Sequence, residues 1–143
     1  FCEITMKTIK KTGFTLIEVL TVVFIIGLLF GLLYPAFLKV MESAKRQRRD
    51  VEKQTLSAAF WAYRHEYGEW PLDGSQTVYS NDNYNVIKHL LPDDEDNPKK
   101  VEFIKLSDYK IDGNSNVISP VSREPYVIEF HLTNDKVTVT APE

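Results

Sequence analysis

One cysteine, Cys2, occurs in 143 residues, so a disulfide within the chain is impossible and a small cross-linked scaffold is excluded. Glycine and proline are scarce, at six and seven residues, which excludes collagen-like and low-complexity chains. There is no G-x-S-x-G, no glycine-rich phosphate loop and no H-E-x-x-H, so nucleophilic, nucleotide and zinc-hydrolase chemistry lack their residues. The three histidines, His65, His89 and His131, are scattered without cysteine partners and read as ordinary surface or partly buried side chains, not ligands. Asp112-Gly113-Asn114-Ser115-Asn116 has oxygen-rich spacing, but no Glu stands at the closing position of a calcium loop, and a turn explains it better. The expectation is a non-enzymatic protein without metal or cofactor.

Charge is absent from a long stretch. Val19 to Leu38 is twenty residues with no formal charge; as a helix rising about 1.5 Å per residue it spans about 30 Å, the thickness of a bilayer hydrocarbon core. The charges elsewhere are sorted by sign. Between Lys39 and Lys53 six basic residues (Lys39, Lys45, Arg46, Arg48, Arg49, Lys53) face three acidic ones, whereas from Gln54 onward there are eight basic and fifteen acidic residues. The pattern describes a membrane-anchored chain with a basic stem and an acidic head.

A secretory signal peptide joins a basic start to a core of about 7–15 apolar residues and a small-x-small cleavage site. Here Lys7, Lys10 and Lys11 supply the start, but the apolar run is too long and is followed by Lys39-Val40-Met41-Glu42, so removal after the run is not expected. A carboxylate, Glu18, stands at the mouth of the run, just after Gly13-Phe14. At the bilayer centre such a charge costs at least about 2.5–3.5 kcal/mol, and less near the interface.

The string KTGFTLIEVLTVVFIIGLL, beginning at Lys11, closely resembles the prepilin-type N-terminal motif of the type IV pilin and pseudopilin superfamily. The likeness covers about Lys10 to Pro35. It implies that a prepilin peptidase cuts between Gly13 and Phe14 on the cytoplasmic face and that the new amine of Phe14 is N-methylated. Met6 then opens a short leader ending at Gly13, with Phe1 to Thr5 upstream of it. Cutting before the apolar run retains the membrane helix and leaves a cation at its tip. Phe14 and Glu18 are one helical turn apart, so a pair within one chain is possible; the resemblance implies instead that Glu18 of an incoming subunit pairs with the Phe14 amine of its neighbour and sets the assembly register. Pairing removes the cost of an isolated charge in an apolar medium. Gly27 and Gly31 form a G-x-x-x-G pair that lets helices approach, and Pro35 removes a backbone donor; in this family the intervening stretch lends the helix flexibility during assembly.

Beyond Pro35 the helical pattern runs on to Tyr67, with Leu56, Ala59, Phe60, Tyr63 and Tyr67 on one apolar face, Gly68 as C′ residue, and Trp70-Pro71 as a stop. Asp73 to Asn85 reads as a surface loop, Val86 to Leu91 as a short helix ended by Pro92, and Asp93 to Asp96 as a solvated acidic loop. Val101 to Leu106 reads as a strand. Tyr126 to Leu132 and Val137 to Ala141 alternate as two strands of a hairpin joined by Thr133 to Lys136. The expected class is α+β: a long N-terminal helix, membrane-spanning in its first half, packed against a small C-terminal antiparallel sheet. The expected division is upstream residues and cleaved leader 1–13, transmembrane and filament-core helix 14–38, and head 39–143. The head comprises amphipathic helix 39–67, loop region 68–100 and sheet 101–143.

Glu124 to Phe130 and Tyr67 to Pro71 resemble, more weakly, segments of type II secretion pseudopilins. The whole implies a pseudopilin of the periplasmic pseudopilus of a type II secretion system, with two alternatives of decreasing weight: a pilin of a surface type IV pilus for adhesion, motility or DNA uptake, and a membrane-tethered binding or enzymatic domain. Implied partners are the prepilin peptidase, other pilin or pseudopilin subunits, the inner-membrane assembly platform with its ATPase, and membrane lipid. The implied topology is a single-pass inner-membrane protein, N-terminus cytoplasmic and head periplasmic. A bare count of flanking Lys and Arg would reverse it, with three before the helix and six after; the specific motif outranks the count. Lys45, Arg46, Arg48 and Arg49 read as a solvated helix face, or as a contact for anionic headgroups or a neighbour's acidic patches. Without interleaved aromatics, nucleic-acid binding is not expected.

Overall fold

The computed structural model describes residues 13–72 and 74–142; of the expected leader only Gly13 lies among them. The chain divides into two compact units, Phe1–Met41 and Glu42–Glu143. Helix α1, Leu16–Tyr67, is a single 52-residue element with Pro35 inside it. It starts at Thr15, whose carbonyl accepts the N–H groups of Glu18 and Val19. It ends at Gly68, which takes φ +81° and donates its N–H to the Arg64 carbonyl at 2.9 Å. Only glycine enters that left-handed conformation without steric cost, so the expected C′ role is observed.

In the first unit every described side chain is exposed. In the second, the predicted helix face is the floor of the core: Leu56, Ala59, Phe60 and Tyr63 are buried and Tyr67 is half-buried. Above them lies a three-stranded antiparallel sheet in the order β1-β4-β5, built from β1 (Val78–Tyr79), β4 (Val127–His131) and β5 (Lys136–Thr140). The expected alternation holds in β4, where Ile128 and Phe130 point inward and Val127, Glu129 and His131 are half-buried. Pairing runs from Val127↔Thr140 to His131↔Lys136, so the connecting loop is residues 132–135, one position earlier than expected, and Leu132 is exposed in it. Phe130 is the hub, meeting Phe60 edge-on at 5.3 Å between ring centres and Trp70 at 5.5 Å.

Two sequence expectations are corrected, at residues 101–106 and 73–85, and two others are refined. Residues 101–105 form no strand, and Leu106–Asp108 is a 3-10 turn. The Val101 N–H goes to the Asn97 side chain and that of Phe103 to the Leu90 carbonyl, so these donors hold loops rather than a ladder. The loop expected at residues 73–85 contains β1, which pairs Val78 with Glu129 and Tyr79 with Ile128. The turn at 112–116 is correct but closes a hairpin of β2 (Lys110–Ile111) and β3 (Val117–Ile118). The short helix is α2 (Tyr84–Ile87), continued by a 3-10 turn, Lys88–Leu90.

Three buried asparagines tie the loops together. Asn83 donates to the Val117 and Tyr126 carbonyls and accepts from the Val117 N–H. Asn97 donates to the Leu91 and Val101 carbonyls and accepts from Val101 N–H and the Tyr67 hydroxyl. Asn116 donates to the Asn81 carbonyl and Asp112, and accepts from the Tyr84 N–H. An amide side chain reproduces both halves of a peptide, so each holds irregular backbone without leaving a buried polar atom unpaired.

Candidate functional site: the N-terminal end of the long helix

Gly13 and Phe14 precede α1 as exposed residues outside any regular element, and Phe14 is 81% exposed. The peptide bond between them is therefore open to an incoming enzyme. The next turn is a capping box. The Thr15 N–H and Thr15 Oγ1 both donate to Glu18 Oε2 at 2.8 Å, and the Glu18 N–H approaches Thr15 Oγ1 at 3.4 Å. Reciprocal bonding between an N-cap Thr and a Glu three residues later satisfies donors that the first turn leaves unpaired. The carboxylate also sits at the positive end of the helix dipole. Sequence reasoning read Glu18 for its charge and missed this second role, although T-x-x-E before an apolar run is its signature. Glu18 Oε2 carries both bonds from Thr15.

Among the described residues, the segment that follows has no partner within its own chain. From Val19 to Leu38 every large apolar side chain is about half exposed or more, and the helix is long and apolar enough to cross a membrane. Each such side chain is stabilised by about 1.5–3 kcal/mol on leaving water, so lipid or neighbouring subunits must cover it. A Cβ added at Gly27 or Gly31 would meet nothing within 4 Å, so no contact among the described residues explains either glycine. Gly31 is four residues before Pro35, and its carbonyl is the one that loses a helical donor to the proline ring.

The basic stem is largely self-paired. Arg46 binds Glu42 at 2.6 Å, Arg48 binds Glu52 at 2.7 Å, and Arg49 and Lys53 both reach Asp50 at 3.2 Å. The hydrogen bond from Lys53 is the main cause that holds the Asp50 carboxyl below the usual carboxylate range. Arg48 also donates to the Asp108 carbonyl. Such internal neutralisation leaves few cations for phosphates.

The acidic loop at 93–96 departs from its reading as a solvated run. His89, 3% exposed, holds Asp94 Oδ1 at 2.7 Å and Asp96 Oδ2 at 3.2 Å through Nδ1. Asp94 Oδ1 also accepts the Asp96 N–H. Donors that share a metal ion at about 2.0–2.2 Å stand about 3 Å apart or more, so the 2.7 Å contact has hydrogen-bond geometry and the trio serves to close the loop. Contacts between residues five and seven apart, outside any regular element, have no periodic signal in the sequence.

Against known proteins, residues 9–34 match the family model described as the prokaryotic N-terminal methylation motif. No curated protein and no solved structure matches the chain. The chain thus carries the type IV pilin and pseudopilin signature at its N-terminal end, on the segment where the helix is capped, exposed and apolar. That signature belongs to structural subunits, not enzymes, and implies processing by a prepilin peptidase and assembly with other pilin-like subunits.

Proposed function

We propose that this protein is a pseudopilin, a structural subunit of the periplasmic pseudopilus of a type II protein secretion machine. The observation that carries the reading is the methylation motif placed on an exposed, capped helix end, followed by a membrane-length apolar surface that no described residue covers. In this reading the subunit waits in the inner membrane with its N-terminus in the cytoplasm and its head in the periplasm. The peptidase cuts between Gly13 and Phe14, and Phe14 is N-methylated. Glu18 of an incoming subunit meets the Phe14 amine of its neighbour and sets the register. Gly27, Gly31 and Pro35 let the helix adjust as it leaves lipid for the filament. The assembly platform and its ATPase supply the work, since this chain has no nucleotide site motif.

The test is mass spectrometry of the membrane-extracted chain with and without the peptidase, followed by cross-linking of Glu18→Ala. The expected results are a mature chain beginning at N-methylated Phe14 only with the peptidase, and a Glu18→Ala chain that is processed but absent from filaments. An unprocessed wild-type chain in peptidase-positive cells would make it a plain anchor. Filaments recovered from the cell surface instead of the envelope would identify a type IV pilus subunit.

A further inference from the structure

The three-stranded sheet of the head ends at β5, which pairs with β4 on one side and with no strand on the other. The register fixes which way its backbone faces. The Phe130 N–H donates to the Thr77 carbonyl at 2.8 Å, on the β1 side of β4. Backbone groups of an antiparallel strand turn to opposite sides at alternate residues, so Ile128 and Phe130 serve β1 while Val127, Glu129 and His131 serve β5. Their partners on β5 are Thr140, Thr138 and Lys136. The N–H and C=O groups of Val137 and Val139 therefore point outward, and among the described residues none takes them up. Edge strands are commonly guarded by a proline, a bulge or an inward-pointing charge. β5 pairs in unbroken register and has none of these; its one charge, Lys136, is exposed at its first position. Beside this edge lies a groove of about 740 Å³, formed by Gln54, Ala58 and Trp61 of α1 and by Val137 and Val139. Asp135 holds Arg64 and Trp70, so Lys136 lies toward the Trp61 end and β5 runs back along α1. At the other end Asp50 is taken by Arg49 and Lys53, whereas no carboxylate among the described residues pairs with Lys136.

We propose that the outer edge of β5 is a strand-addition site for an extended segment of a different polypeptide, apolar at alternate positions and bearing a carboxylate that meets Lys136. Unpaired N–H and C=O groups at two-residue spacing select an extended backbone over a helix. Every second side chain of the added strand turns onto Ala58 and Trp61, which favours apolar residues there. Lys136 favours the opposite charge on the exposed face. A second copy of the chain does not fit. Antiparallel pairing of two β5 edges needs a two-fold axis normal to the sheet, and that axis also reverses the helix segment 42–67 packed on it. Copies inserted alike in one membrane carry that segment in one direction. Parallel pairing needs an axis along the strand, which turns Lys136, Thr138 and Thr140 of the second copy onto the apolar groove. This exclusion of a second copy rests on the membrane-anchored reading; the unpaired edge does not.

The test uses the full chain in detergent micelles and a short synthetic acetylated peptide that alternates valine and threonine after a first glutamate. Amide hydrogen exchange is followed residue by residue by NMR. On peptide addition the Val137 and Val139 amides are expected to slow about tenfold or more, while Thr138, already paired with Glu129, keeps its rate. Lys136→Glu should weaken binding of this peptide and favour the analogue with lysine in place of glutamate. Val139→Pro removes an outward donor and leaves the β4 ladder intact; protection at Val137 should be lost with unchanged circular dichroism. Should Val139→Pro fail to fold, the charge exchange at Lys136 still decides. Unchanged exchange at Val137 and Val139, equal slowing at Thr138, or a peptide preference that Lys136→Glu does not alter would overturn the proposal. Protection at Val137 and Val139 that grows with chain concentration in the absence of peptide would assign the edge to a second copy and overturn it as well. None of these readings depends on cleavage after Gly13, so the site and the filament-subunit reading stand or fall separately.

Discussion

At the scale of single residues, the head depends on a carboxylate that the hydrophobic pattern conceals. Glu52 lies on the same face of α1 as Leu56 and Ala59 and is 7% exposed. Its oxygens accept from Arg48 Nε at 2.7 Å and from the fully buried Tyr126 hydroxyl at 2.8 Å. A buried carboxylate is tolerable when each oxygen has a donor, and removing one partner strands the other. Tyr126→Phe is expected to cost about 1–3 kcal/mol in unfolding free energy, Glu52→Gln less because an acceptor oxygen remains, and Glu52→Ala most. Denaturant unfolding of the three variants orders them. The tyrosines also set a pH dependence. Burial pushes Tyr63 up to about 12, with Asp96 adding to it, and burial pushes Tyr109 up to about 12, with Glu52 adding. Burial and then the Glu52 hydrogen bond raise Tyr126 as well. Phenols that ionise at about 10 when unfolded and later when folded contribute stability that is complete below pH 10. It is lost as the pH rises through 10 toward 12, because the unfolded chain releases those protons first. An alkaline melt should therefore be flat to about pH 10 and fall beyond it; phenolate absorbance rising in the folded head before that would contradict the burial.

At the scale of elements, what was legible in the sequence is what has a period. The core face of α1 and the alternation of β4 were readable because each repeats its pattern through a regular backbone. The stop at Gly68 was readable because a helix needs a left-handed residue there. β1 was not, since two residues, Val78 and Tyr79, give no alternation inside a polar stretch. Residues 101–106 misled because their apolar content satisfies a strand pattern while Asn97 and Leu90 take the backbone donors. Gly13, Phe14 and Glu18 were picked out by motif, whereas the cap from Thr15 to Glu18 was missed although its T-x-x-E pattern stands in the sequence. The β4–β5 hairpin is anchored to the end of α1 in a way no pattern reveals. Asp135, at φ +46° in the turn, accepts from Arg64 Nε at 3.1 Å and Trp70 Nε1 at 2.9 Å. Asp135→Ala strands the indole donor and is expected to lower stability by about 1–3 kcal/mol. Asp135→Gly keeps the turn conformation accessible and still loses both acceptors, so similar melting of the two variants would assign the effect to the side chain. Gly68→Ala should cost about 1–2 kcal/mol through the left-handed backbone alone, visible as a lower melting temperature with unchanged helix content.

At the scale of the whole molecule, the two units obtain their stability from different sources. Phe1–Met41 contains no buried described residue, so its helix depends on lipid or neighbours for cover. Glu42–Glu143 has a contiguous core of α1, sheet and loop residues, with its irregular segments held by Asn83, Asn97 and Asn116. The absence of a disulfide matters here, because a domain of about a hundred residues buries enough surface to fold without one. A fragment comprising residues 42–143 is therefore expected to be soluble and to melt cooperatively, with helix content matching residues 42–67. Asn97→Ala in that fragment leaves the Val101 N–H and the Tyr67 hydroxyl without their shared acceptor, and it should lower the melting temperature sharply. Residues 1–41 joined to an unrelated soluble domain should still partition into membranes and be processed after Gly13, because that reaction draws only on the first unit. A fragment 42–143 that unfolds without the upstream segment would show that membrane helix and head stabilise each other. Mutations in the head would then alter processing, a coupling that the head's self-contained core argues against.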